Sequence, residues 1–137
     1  MRLPSGLPEQ VADAEDVARF LTSSGHFNAS AVRPSAFMPN PRNGETSVFR
    51  HGAKPRADLI AIGEREVGGT RPVHGAALIK AGLIRKISLE LRTGEPPPLH
   101  ADIIGWPWTC DDPEFGKAEQ KLLAAQLAQE AGAPIKF

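Results

Sequence analysis

One cysteine, Cys110, stands among 137 residues, so the chain cannot close a disulfide on itself, and a small cystine-stapled secreted scaffold is excluded. Neither sign of charge prevails. The 16 basic residues match the 16 acidic ones, which rules out a polybasic arm, an acidic tail and the usual composition of a disordered segment. Long apolar runs are missing too: the most apolar stretch, residues 75–84, contains Lys80 and two glycines and is about half the ~20 residues a membrane helix needs. Residues 1–8 hold one arginine and two prolines with no apolar run of signal-peptide length, so no export signal is expected and the chain reads as soluble and cytoplasmic. The phosphate-cradling glycine loop, the dinucleotide-binding glycine pattern, the glycine-flanked hydrolase serine, zinc-finger spacing, the RNA-binding aromatic strand motif and internal repeats are all lacking.

What is present fits one domain over 1–137, with 1–10 as a poorly ordered N-terminal extension. A hydrophobic content of 41% suffices for one core. Glycine and proline, at 13 each, call for many turns. The spacing of Val11, Ala14, Ala18 and Leu21 predicts a helix over 11–22, with Asp13, Glu15 and Asp16 near its start. Prolines and asparagines over 24–45 predict loop around one short strand, 32–38. Thr46 to Arg50 is β-branched and aromatic between glycines, which predicts a strand. A helix is expected over 55–67, and a short helix over 73–84, where the length also permits a strand. Ile87 to Arg92 alternates apolar and polar residues, so Ile87, Leu89 and Leu91 should face the core.

Pro96, Pro97 and Pro98 then make a stiff, extended connection into a strand over 99–104, which Gly105 and Pro107 end. Asp111 or Asp112 caps a last helix with Pro113 at its first position, and its apolar stripe runs through Phe115, Ala118, Leu122, Ala125 and Gln129, with Leu123 and Leu127 widening it. Strands in adjacent pairs between helices predict an α+β domain: a small, mostly antiparallel sheet of about four strands with helices packed on one face.

The zero net charge hides a pattern. Residues 1–31 carry −2, residues 32–92 carry +6 and residues 93–137 carry −4. A basic middle that includes Arg33, Arg42, Arg50, Lys54, Arg56 and Arg71 would contact phosphates if the fold gathered it on one face; pairing with the acidic ends is the commoner outcome.

The run from Pro98 to Pro107 carries the candidate chemistry. On a strand, His100 and Asp102 share a face while Leu99, Ala101 and Ile103 turn to the core. An imidazole beside a carboxylate suits a general base with its orienting group, although such pairs more often make a polar face with local hydrogen bonds. Metal ligation would need a third ligand such as His74, His51 or Cys110, and no metal site and no cofactor is assigned. Trp106 offers either an aromatic cap on the core edge or a shelf for a ligand. Cys110, ahead of a helix N-terminus, is a thiol whose pKa a dipole would lower, yet it has no evident histidine partner. Ser47, Arg50 and Trp106 are the expected ligand-binding residues, converging with His100 and Asp102 at strand ends.

Pro34 to Pro39 with Thr46-Ser47-Val48-Phe49-Arg50, followed by Pro96-Pro97-Pro98-Leu99-His100-Ala101-Asp102-Ile103-Ile104-Gly105-Trp106-Pro107, resembles a group of small uncharacterised bacterial proteins over roughly three quarters of the chain. The resemblance implies a bacterial, cytoplasmic, stand-alone protein and assigns no substrate, cofactor or catalytic residue. The leading expectation is a non-enzymatic binding or interaction module with a protein or small-molecule partner near residues 96–108. A hydrolase or transferase using His100 and Asp102 is the alternative, and a nucleic-acid-associated protein using the basic middle is the third. No membrane partner is expected, and self-association is left open.

Overall fold

Val17, Ala18, Phe20 and Leu21 are all buried, on both faces of one extended segment. That makes Asp16–Leu21 strand β1 rather than the expected helix: a central strand covered on both sides is apolar at nearly every position, and over so few residues it imitates helical spacing. The computed structural model describes residues 2–50, 54–109, 111–112 and 114–137. Among them, β1 is followed by β2 (Thr46–Arg50), α1 (Arg56–Glu66), β3 (Gly75–Lys80), α2 (Ala81–Lys86), β4 (Glu90–Thr93), β5 (His100–Ile104), α3 (Lys117–Ala131) and β6 (Ile135–Lys136).

The six strands form one sheet in the order β4-β5-β2-β1-β3-β6, each neighbour antiparallel. The class is α+β as expected, with six strands in place of about four. The expected strand over 32–38 is instead a 3₁₀ turn at Pro34–Ala36, because Pro34 presets the turn dihedral and has no amide to donate to a ladder. The expected helix over 73–84 divides into β3 and α2. Ala76, Ala77 and Ile79 are buried, so β3 lies inside the sheet, where its alanines serve close packing. The proline-rich connection does not carry the chain onward. It folds β4 back on β5 as a hairpin, closed by Gly94 N–H donating to the His100 carbonyl at 3.0 Å, with cis peptide bonds before Pro96 and Pro97.

Helices cover both faces, not one. Val17, Leu21, Val48, Ala77, Ile79, Ala101 and Ile103 pack with Ala81 and Ile84 of α2 and with Ala124, Leu127 and Ala128 of α3. The alternate residues Ala18, Phe20, Phe49 and Ala76 meet Leu59 and Ile62 of α1. Period-two alternation along β1, β2 and β3 thus feeds two cores.

The last helix departs from expectation in start and phase. It begins at Lys117 after Gly116, whose φ of +68° suits glycine, while Pro113 lies outside the described residues. Its buried residues are Gln120, Ala124, Leu127 and Ala128. Phe115 and Leu122, members of the expected stripe, are 51% and 66% exposed. No described helix is long and apolar enough to cross a membrane.

Candidate functional site

β2 and β5 are neighbours in a register that sets Ser47 opposite Asp102 and Phe49 opposite His100. All four side chains therefore stand on the α1 face. Ser47 reaches diagonally to the histidine: its Oγ lies 2.8 Å from His100 Nε2. The other ring nitrogen, Nδ1, lies 3.0 Å from the Gly94 carbonyl. A carbonyl oxygen only accepts, so Nδ1 carries the proton, and Nε2 of the neutral ring is left to accept from the Ser47 hydroxyl. Phe49 packs edge-on against the imidazole with ring centres 5.5 Å apart. Gly94 is needed for this approach, since a Cβ there would sit 2.9 Å from Nδ1.

Asp102 is part of the same group. Its carboxylate comes within 3.6 Å of His100 Nε2 and 3.9 Å of Arg92, which also pairs with Glu45. Burial, reinforced by Glu45, pushes the Asp102 carboxyl above the usual carboxylate range against the opposing pull of His100 and Arg92. Asp102 thus flanks the Ser47-facing nitrogen, while a backbone carbonyl holds the proton-bearing one, the position in which sequence reasoning expected the aspartate.

The group borders a cleft of about 600 Å³ between the sheet and the 38–45 loop, lined by Ser47, Asp102, Glu45 and the arginines Arg19, Arg42 and Arg71. Trp108 fixes that loop: its indole N–H donates to the Pro41 carbonyl at 3.3 Å, and its ring packs where a Cβ on Gly44 would fall. Arg19 is the deepest of the three arginines. β1 and β2 pair only at Val17 with Arg50 and at Ala18 with Phe49. Where they part, the Arg19 side chain donates from Nε to the Ala36 carbonyl at 2.7 Å and from a terminal nitrogen to the Ser47 carbonyl at 2.8 Å. Burial, then the charge of Arg71, lowers its pKa to about 10. No carboxylate of the described residues pairs with Arg19, Arg42 or Arg71. The acids of the cleft are already engaged, Glu45 by Arg92 and Asp102 by Arg92 and His100.

Two expected ligand residues are elsewhere. Arg50 is fully buried on the opposite face, held by Glu15 and the Pro8 carbonyl, because residue 50 alternates with residues 47 and 49. Trp106 turns back into the α3-side core after Gly105, 6% exposed, its N–H on the Ile103 carbonyl. Of the 96–108 segment, only Asp102 lines the cleft. His74 precedes β3, which β2 and β1 separate from β5, and His51 and Cys110 lie outside the described residues. Among the described residues no three His, Cys, Asp or Glu side chains gather as a metal set.

The basic middle is dispersed. Arg50 is interior, Arg85 pairs with Asp13 and Glu90, and Lys80 with Asp16; Arg42 and Arg71 alone of that stretch reach the cleft. Ser5, in the N-terminal stretch, meets the connection between β4 and β5: both its amide and its hydroxyl donate to the Glu95 carboxylate.

Arg19 and Gly94 are not legible as site residues in the sequence. Arg19 lies in a strand whose spacing imitates a helix, and Gly94 precedes prolines that predict an extended connection, while Arg71 is one of many residues in the basic middle. No family model, no curated protein and no solved structure matches this chain.

Proposed function

We propose that this protein binds a small anionic ligand, one bearing a carboxylate or phosphate group, in the cleft between the sheet and the 38–45 loop. The observation that carries the reading is Arg19: a largely enclosed guanidinium held by two carbonyls, with no carboxylate of the described residues to balance it. Enclosing a cation costs free energy that an opposite charge offsets, and a guanidinium presents a planar fork of donors suited to carboxylate and phosphate oxygens. Arg71 and Arg42 add charge at the rim. The scale of the cleft suits a small molecule, falling in the range of about 300–1,000 Å³ that ligand sites occupy.

Calorimetric titration with inorganic phosphate, pyrophosphate and citrate at low salt tests this. At least one anion should bind, and Arg71→Ala should weaken it by about tenfold or more, the effect of losing one charge-assisted contact. Absence of binding by all three at millimolar concentration, or equal binding by wild type and variant, refutes the reading.

A further inference from the structure

The anion cleft has a nucleophile at its wall. We infer that the protein hydrolyses carboxylic esters of small anionic molecules, with Ser47 as nucleophile and His100 as general base. The inference rests on the anion-binding reading for its substrate class and on independent geometry for its chemistry.

Three observations assemble the reaction centre. Ser47 Oγ and His100 Nε2 are 2.8 Å apart, within the 2.6–3.2 Å typical of an activated hydroxyl and its base. The Gly94 carbonyl fixes the ring by accepting from Nδ1, the orienting role that a buried carboxylate fills in the familiar serine triad. Ser47 also lines both the main cleft and a smaller one of about 200 Å³ beside it, so the hydroxyl is reachable while the imidazole stands behind it, its side chain 18% exposed.

The electrostatics fit the charges that the reaction develops. As Ser47 Oγ attacks the ester carbonyl carbon, its proton passes to Nε2, and the carbonyl oxygen becomes an oxyanion. The resulting imidazolium has the Asp102 carboxylate 3.6 Å from Nε2. Arg19, bonded to the carbonyl of Ser47 itself, places a fixed positive charge within one residue of the nucleophile, where it favours the oxyanion. Collapse breaks the bond to the alcohol, which leaves with the proton from Nε2. Water then attacks the acyl–Ser47 ester, giving its proton to the same nitrogen; the acyl–Oγ bond breaks, Nε2 returns the proton to Oγ, and the acid departs. No oxidant, metal or other co-reactant is required.

The test uses 4-nitrophenyl succinate, an anionic activated ester, beside neutral 4-nitrophenyl acetate, with intact-mass detection of the acyl-enzyme and release of nitrophenol. Wild type should turn over the anionic ester faster and carry the acyl group on Ser47. Ser47→Ala should abolish acylation while keeping the wild-type circular dichroism and thermal midpoint, which shows that it is folded. His100→Gln should slow acylation by about 100-fold or more, as loss of a general base does, and should remove the ionisation from the wild-type pH–rate profile, a readout that a merely structural histidine would not move. Phosphate binding without acylation of Ser47 overturns the esterase inference and leaves the binding reading intact. Acylation at equal rates with both esters, in a protein that binds none of phosphate, pyrophosphate and citrate, supports the Ser47–His100 pair and overturns both the binding reading and the anionic substrate class.

Discussion

Arg50 and Glu15 meet in a two-point ion pair on the α2 and α3 side of the sheet, the guanidinium fully buried and the carboxylate 24% exposed. A third arginine bond, to the Pro8 carbonyl at 2.7 Å, ties the N-terminal segment to the same group. Removing one partner of such a pair leaves the other charge enclosed, which costs more than the pair itself contributes. Glu15→Ala should therefore destabilise the fold by about 3 kcal/mol, the low end for a buried pair because Glu15 is partly wet. The double change Glu15→Leu with Arg50→Met should recover much of that loss. Urea unfolding checks both, and a double variant no more stable than Glu15→Ala would contradict the account.

His26 should make stability depend on pH. Burial first, then the charges of Arg19, Arg71 and His74, hold its pKa below the ordinary histidine value, and its Nδ1 is buried without a hydrogen-bond partner. The unfolded chain binds a proton at about pH 6.5 that the folded chain refuses. The stability conferred by the neutral ring is thus present above that pH and is lost as pH falls through the lowered folded value. Thermal midpoints measured from pH 8 to pH 5 should fall more steeply for wild type than for His26→Gln. Parallel curves would show that His26 does not carry the effect.

The phase of α3 can be read from two leucines. Leu127 is fully buried and Leu122 is 66% exposed. Leu127→Ala should cost about 2–5 kcal/mol, the range for truncating a buried leucine, whereas Leu122→Gln should stay within about 0.5 kcal/mol, as surface changes do. Chemical denaturation of both variants decides the matter, and the reverse ranking would contradict this phase of α3.

These leucines also show where sequence reasoning succeeds and where it loses its grip. In β5, small and branched apolar residues alternate with His100 and Asp102, and the expected facing holds within the strand: Ala101 and Ile103 are fully buried on one side, while the polar pair shares the other. Leu99, expected with Ala101 and Ile103, precedes the strand with a φ of +73° and packs on the α1 side instead. In α3, apolar residues spread over one wide stripe that holds both Leu122 and Leu127, so periodicity does not say which of the two is buried; contact with the 3₁₀ turn and the sheet buries Leu127 and leaves Leu122 outside. β1 imitates a helix because its two faces are covered by different layers. The closeness of Ser47 to His100 depends on the register between β2 and β5, and that information lies in strand pairing, not in either segment alone. Arg50 was assigned to the site for the same reason: composition places it beside Ser47, but pleating turns it to the other face.

The contact between Ser47 and His100 spans 53 positions of chain and joins two strands inside a six-stranded sheet. No local fragment can assemble it, and opening either strand dissolves it. Ester reactivity at Ser47 should therefore report cooperative folding of the whole sheet: as urea is raised it should vanish together with the native circular dichroism, with no residual rate from partly unfolded forms. A reactive serine of this kind is a built-in gauge of the intact native population.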